Sequence, residues 1–243
     1  MRVGVYIDAF NLYFGGRRLC GGSTTGWRWL DVRALAQDLI SRRQDWPNAT
    51  IERVVYCTAM IDQATNATGH QEQDTYIRAL RTGIVDRVEF GHYVARVKRA
   101  PLATEDPVTH SPVLTTSRWP VNVRNAAGTD IPNATFMVSY AFREEKGSDV
   151  NVASHLLVDT LENNIDAAIV ISNDSDLALP LREARARIPV GTVNPSPSHL
   201  AGRLRGQRTD GVGDHWWLQL RAADLQNHQL PNPCGAFAKP YAW

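Results

Sequence analysis

Lysine is almost absent from this 243-residue chain and occurs only at Lys98, Lys146 and Lys239. The 26 lysine and arginine residues together face 25 acidic residues, which leaves a formal net charge of +1. That balance excludes a polybasic protein that coats nucleic acid, so any basic surface must be local. Arginine supplies nearly all the positive charge and is the better bidentate partner for phosphate, although genome composition explains the bias equally well.

Cysteine is also rare and occurs only at Cys20, Cys57 and Cys234. These positions are too scattered for a disulfide framework or a zinc knuckle, so we predict that the thiols are reduced. Apolar runs stay short of the roughly 18 residues that a membrane-spanning helix needs, and Asp8 interrupts the run near the N-terminus. The histidines form no i, i+4 pair, which disfavours a histidine-based zinc hydrolase. These absences predict a cytoplasmic protein without a membrane partner.

Apolar runs and helical spacings alternate along the chain, whose hydrophobic fraction of 43% can bury one sizeable core. Continuous apolar runs such as Val3–Ile7 are typical of parallel strands that are buried on both faces. We predict strands at 3–7, 51–59, 85–97, 167–171 and 190–193, and helices at 31–43, 72–81, 149–161 and 175–187. This order predicts an α/β fold with a central, mainly parallel sheet.

Residues 98–135 interrupt the alternation with a segment rich in proline, threonine and asparagine, which excludes a long regular element. Alternating apolar residues on either side of a turn at 125–128 predict an inserted β-hairpin-like flap. The tail at 206–243 carries several apolar residues and is expected to pack on the core or on a second copy, as in a homodimer. We therefore predict one principal domain at 1–205 that contains the insertion.

Acidic residues follow predicted strands at two distant points of the sequence. Asp8 ends the first strand, and Asp174 and Asp176 come just after the strand at 167–171, where the ligand crevice of an open parallel sheet lies. Asp149 begins a predicted helix after Gly147, which lets the chain turn tightly. Crowded carboxylates oppose their own ionisation, and a hard divalent cation relieves that repulsion. The alternative is that each aspartate merely caps an element.

Three segments of the sequence, Val5–Leu12, Glu145–Asn151 and Ile171–Leu177, resemble the signature blocks of the NYN domain, a family of the PIN-like nuclease superfamily. The resemblance covers about Met1–Leu204, apart from the insertion at 98–135. It implies a three-layer PIN-like, Rossmannoid fold. It also implies a nuclease that depends on Mg²⁺ or Mn²⁺ and hydrolyses phosphodiester bonds, with RNA as the expected substrate and partner.

The same resemblance implies roles for individual side chains. Asp8, Asp149 and Asp174 would be the principal metal ligands, and Asp176 a further or water-mediated ligand. Asn11 would orient Asp8 or the scissile phosphate. The residues that would hydrogen-bond to these ligands are Ser172 and Asn173.

Basic and aromatic side chains are the candidates for holding a nucleic acid, because cations bind phosphates and an exposed tryptophan stacks on an unpaired base. The plain alternative is that each charge belongs to a solvated face. The candidates are Arg17, Arg18, Lys146, Arg96, Lys98, Arg99, Arg118 and Trp119.

Other function classes fit the same sequence less well. A PIN-like fold does not fix activity, so a non-cleaving module that binds nucleic acid or a protein partner is the second hypothesis. A phosphatase of the haloacid-dehalogenase type would need Asp-x-Asp after the first strand, where this chain has Asp8-Ala9-Phe10. A dinucleotide-dependent enzyme is disfavoured because no Gly-x-Gly-x-x-Gly follows that strand.

Overall fold

The computed structural model describes residues 1–118 and 121–243 of the chain. Its strands are β1 (Arg2–Asp8), β2 (Thr50–Thr58), β3 (Arg87–Phe90), β4 (His92–Pro101), β5 (Ala103–Glu105), β6 (Pro112–Leu114), β7 (Met137–Lys146), β8 (Ala167–Ile171), β9 (Val190–Asn194) and β10 (Trp216–Gln219). Its helices are α1 (Ala9–Cys20), α2 (Val32–Ser41), α3 (Ala67–Leu80), α4 (Ser148–Leu161), α5 (Ala178–Arg185), α6 (Gly202–Arg205) and α7 (Ala222–Gln226), with a 3₁₀ turn at Ser175–Leu177. These elements divide between two compact units, one of Met1–His92 with Glu145–Trp243 and the other of Tyr93–Glu144.

The larger unit contains a six-stranded sheet in the order β10-β9-β8-β1-β2-β3, and all neighbouring strands are parallel. Alternate side chains of β1 enter two different cores. Val5 and Ile7 pack with Leu35 of α2, whereas Tyr6 packs with Leu156 of α4. Helices therefore cover both faces of the sheet, which confirms the predicted α/β class with a central parallel sheet and explains why β1 is a continuous apolar run.

Helix α1 is an element that the sequence did not predict, because Gly15 and Gly16 lower its helix propensity. A Cβ atom at Gly15 would lie 2.2 Å from the carbonyl oxygen of Pro195, so glycine lets α1 approach the loop after β9. The prediction of a single strand at 85–97 is also wrong. It is interrupted at Gly91, and β3 and β4 belong to different sheets.

The smaller unit is built from short antiparallel and irregular segments. β4 pairs with β7, and β5 pairs with β6 in an antiparallel hairpin. A turn closes where Asn125 N–H donates to the Thr129 carbonyl, beside an isolated bridge between Arg124 and Asp130. The alternation predicted around Trp119 forms no strand in the residues that the structure describes, and Trp119 itself lies outside them.

The C-terminal residues extend the core of the larger unit. β10 pairs with β9, and the Trp216 ring lies where a Cβ atom on Gly191 would be, 2.2 Å from the nearest ring atom. Three buried leucines of the tail join the same core, namely Leu220, Leu225 and Leu230. Within the described residues, every helix is too short or too polar to cross a membrane.

His215, next to β10, predicts a pH dependence of stability. Its Nδ1 accepts the Val190 N–H at 3.0 Å, so a protonated ring would lose this bond. Burial lowers the pKa of His215 from its ordinary value of 6.5, although its bond to the Asp210 carbonyl opposes that shift. His215 therefore binds a proton more readily in the unfolded chain than in the folded chain. The free energy of unfolding should fall as pH drops below about 6.5.

Urea unfolding between pH 5 and pH 8 measures this effect. His215→Gln should show a shallower dependence on pH over the acidic part of the range, while the matched control His92→Gln changes an exposed histidine and should follow the original protein. Parallel curves for His215→Gln and the original protein would contradict the assignment.

Candidate functional site

The candidate site begins at Asp8, where β1 ends and α1 starts. The Asp8 side chain is only 3% exposed, and both of its oxygens accept hydrogen bonds. The backbone N–H of Asn11 donates to Oδ1 at 3.0 Å, and the Asn11 amide Nδ2 donates to Oδ2 at 2.7 Å. Both hydrogen bonds from Asn11 hold the Asp8 side chain in one orientation.

The segment after β8 completes the network, because β8 pairs directly with β1 and Ile171 lies opposite Ile7. The Ser172 hydroxyl donates to Asp8 Oδ2 at 3.0 Å, and the Asp174 N–H donates to the Ser172 oxygen at 3.1 Å. The Asn173 N–H donates to the Asn11 side-chain oxygen at 3.2 Å. We call Asp8, Asn11, Ser172, Asn173 and Asp174 the polar rim.

The electrostatics of the polar rim are dominated by the buried Asp8 carboxylate. Burial raises the pKa of Asp8, and so does the negative charge of Asp174, while the hydrogen bonds from Asn11 and Ser172 lower it. The net direction is upward, so ionised Asp8 is held at a cost to the fold. A bound cation would offset this cost.

Helix capping accounts for part of the arrangement. Asp8 is the N-cap of α1, and Asp174 is the N-cap of the 3₁₀ turn, since its Oδ1 accepts the Asp176 N–H at 3.0 Å. Capping does not require a carboxylate to be buried beside a second one, because serine or asparagine caps as well without charge. The proximity of Asp8 and Asp174 is therefore the feature that a cap alone does not explain.

The two remaining predicted ligands lie in the first turn of α4 and in the 3₁₀ turn. Asp149 is half-buried in the first turn of α4, whose N-cap Gly147 has a left-handed backbone with φ of 99°, as the predicted tight turn requires. Asp176 is exposed. Within residues 1–118 and 121–243, no three acidic, histidine or cysteine side chains are grouped so as to hold one ion. A four-aspartate metal site stays a prediction.

The predicted nucleic-acid contacts divide between the two units. In the larger unit, Arg17, Arg18 and Lys146 are exposed. In the smaller unit, Glu144 pairs with Arg96 at 2.7 Å and with Lys98 at 4.0 Å. Lys98 also lies over the Phe142 ring. The remaining candidates are Arg99 and Arg118, which are exposed, and Trp119, which is outside the described residues.

Two features of the site escaped the sequence analysis. Asn173 anchors the loop after β9, because its Nδ2 donates to the His199 carbonyl at 3.1 Å and its Oδ1 accepts the Ala201 N–H at 2.8 Å. Tyr13 and Phe14, on α1, are large exposed aromatic side chains close in sequence to Asp8. Aromatic residues at helical spacing are usually part of a core, so the sequence alone did not mark them as exposed.

Comparisons with known proteins found few relatives. No family model matches the chain. The chain is 25% identical over 250 residues to a Pseudomonas putida protein named 6-hydroxy-3-succinoylpyridine 3-monooxygenase, covering 95% of this chain and 70% of that protein. A solved structure of a Vibrio parahaemolyticus protein of unknown function has a TM-score of 0.46 and 13% identity, over 90% of this chain and 92% of that one.

The relative from Pseudomonas putida corrects the predicted enzyme class. The resemblance to NYN domains implies a ribonuclease dependent on Mg²⁺ or Mn²⁺, that is, a phosphodiester hydrolase. A monooxygenase is an oxidoreductase, so the named relative points to a different kind of enzyme. We therefore do not assign hydrolysis of phosphodiester bonds to the polar rim.

Proposed function

We propose that the polar rim binds a divalent cation, Mg²⁺ or Mn²⁺. The observation that carries this proposal is the burial of the Asp8 carboxylate beside the carboxylate of Asp174. Hard cations take oxygen ligands and are commonly held by one or two carboxylates together with water. A cation at this position would stabilise both negative charges at once.

The hydrogen bonds indicate how the ligands share this role. Both Asp8 oxygens already accept bonds, which fixes the direction of their remaining lone pairs. Oδ2 of Asp174 accepts no hydrogen bond from the part of the chain that the structure describes, so it is the more available ligand atom. We assign Asp149 and Asp176 only as ligands through water.

A titration with Mn²⁺, followed by the electron paramagnetic resonance signal of the free ion, tests the cation site. We expect the protein to remove one ion per chain from solution, and Mg²⁺ to release it in competition. A free Mn²⁺ signal that the protein leaves unchanged would contradict the proposal.

We propose that the fold is of the PIN-like type and that the chain is related to NYN domains. The support is that Asp8 and Asp174 follow the C-terminal ends of two adjacent parallel strands, β1 and β8. In an open α/β sheet this edge is where ligands bind.

A second proposal concerns the reaction. We infer that the chain is an oxidoreductase that hydroxylates an aromatic ring, because the match to the named monooxygenase extends over 95% of this chain. Inserting one oxygen atom from O₂ into a C–H bond takes two electrons and two protons from a reductant and releases one water molecule.

An oxygen electrode measures this activity directly. With NADH or ascorbate as the two-electron reductant, in parallel assays, and 6-hydroxy-3-succinoylpyridine as the probe, we expect oxygen consumption that depends on the probe. Mass spectrometry should show a product with one added oxygen atom. Oxygen consumption without that product would contradict aromatic hydroxylation.

A further inference from the structure

Helix α1 carries three aromatic side chains at helical spacing, Phe10, Tyr13 and Phe14, which we call the aromatic stripe. The opposite side of α1 is buried through Leu12, Gly15 and Gly16. Tyr13 is 39% exposed and Phe14 is 49% exposed. Large aromatic side chains that cluster on a surface commonly mark a binding site.

Contacts between the rings hold the aromatic stripe in a defined geometry. The Phe10 and Phe14 rings are nearly parallel, with an interplanar angle of 19° and centroids 6.4 Å apart. Tyr13 meets Phe14 edge to face at 5.4 Å and lies against the buried Trp27 at 5.6 Å. The exposed ring faces are therefore oriented before any ligand arrives.

Positive charge lies at the end of the aromatic stripe that is remote from Asp8. Arg17 and Arg18 are in the last turn of α1 and are exposed, and each is four residues from a ring of the stripe. Many other arginines are already neutralised by carboxylates. Examples of these pairs are Arg2 with Asp166, Arg42 with Asp224 and Arg53 with Asp159.

This pattern of charge favours a small ligand over a polyanion. A net charge of +1 and the paired arginines give no continuous basic track of the kind that follows a nucleic-acid backbone. Tyr13 and Arg17 are separated by about 6 Å along the helix, which follows from the rise per residue. One aromatic ring and one attached anionic group span a comparable length.

We propose that the aromatic stripe, with Arg17 and Arg18, binds a small planar aromatic ring that carries a carboxylate. The ring stacks on Tyr13 and Phe14, and the carboxylate accepts hydrogen bonds from a guanidinium group. The stripe starts two residues after Asp8, so the ligand site lies on the helix that begins at the polar rim. The inference rests on the proposed cation site only for this placement.

Calorimetric titration with pyridine-3-carboxylate tests the proposal. The titration is carried out in EDTA, so that stacking is measured without any contribution from a cation, and a failed Mn²⁺ site leaves this result unaffected. We expect saturable binding, and weaker binding of cyclohexanecarboxylate, which has the charge without the planar ring. Pyridine-3-carboxamide, which has the ring without the charge, should also bind more weakly. Equal affinity for all three probes would overturn the proposal.

Variants of exposed residues separate the two parts of the ligand site. Phe14→Leu should weaken binding of pyridine-3-carboxylate about tenfold, by loss of stacking. The matched control Tyr241→Leu removes an aromatic ring that is exposed elsewhere and should leave the affinity unchanged. Arg17→Gln combined with Arg18→Gln should weaken binding and remove its dependence on salt.

Two further outcomes would assign the aromatic stripe to another occupant. Tighter binding of a single-stranded RNA oligonucleotide, lost in Phe14→Leu, would overturn the small-ligand proposal in favour of a nucleic acid. A dimer of the original protein that dissociates in Phe14→Leu, measured by sedimentation, would overturn it in favour of a second copy of the chain.

Discussion

Replacing Asp174 with asparagine is expected to abolish Mn²⁺ binding and to leave the metal-free protein at least as stable as before. Asparagine can still accept the Asp176 N–H, and it caps about as well as aspartate. The change also removes a charge that raises the pKa of Asp8. Losing a hydrogen-bonding neighbour of a ligand costs about 10–100-fold in metal affinity, so losing a ligand should cost more than about 100-fold.

Paramagnetic titration and thermal melting in EDTA measure the two parts of this prediction. Asp174→Ala also loses the cap, so its free energy of unfolding should fall by roughly 1 kcal/mol with or without the cation. Ser172→Ala should weaken Mn²⁺ binding about tenfold, because the hydroxyl that orients Asp8 is gone.

Asp106→Asn is the matched control for the Mn²⁺ titration. Asp106 accepts the N–H groups of Val108 and Thr109 in an exposed turn, and it should not affect Mn²⁺ affinity. If the original protein and Asp174→Asn bound Mn²⁺ equally well, Asp8 and Asp174 would be two helix caps and nothing more.

The central strands could be predicted from the sequence because burial on both faces leaves a local signal. β1 and β8 are continuous apolar runs, and the structure places them side by side. Helix α1 left no such signal. The need for glycine at position 15 comes from Pro195, which is distant in the sequence, and no local rule reveals that contact.

The candidate site was predictable to the same extent. The C-terminal ends of parallel strands share one edge, so Asp8 and Asp174 were expected together once their strands were identified. The position of Asp149 depends on the direction in which the chain enters α4 at Gly147, and sequence spacing does not determine it. The exposure of the aromatic stripe is not predictable in this way, because aromatic residues at helical spacing are usually part of a core.

Asp159→Ala is expected to lower the free energy of unfolding by about 3–5 kcal/mol, the usual cost of removing one partner of a buried ion pair. Asp159 is on α4 and is 1% exposed. Its carboxylate accepts the Tyr6 hydroxyl at 2.7 Å and Arg53 Nη1 at 2.6 Å. The alanine variant leaves a buried hydroxyl and a partly buried arginine side chain without this partner, which urea unfolding should detect.

Comparison variants show whether the cost comes from the buried charge. Glu183→Ala breaks the exposed ion pair with Arg187 and should cost less than about 1 kcal/mol. Tyr6→Phe removes one hydrogen bond but keeps the pair with Arg53, and should cost about 1 kcal/mol. The double variant of Tyr6→Phe and Asp159→Ala should lose less unfolding free energy than the two single variants added together, because it has no unsatisfied Tyr6 hydroxyl. Additive costs would mean that the hydrogen bond from the Tyr6 hydroxyl contributes little to the cost of Asp159→Ala.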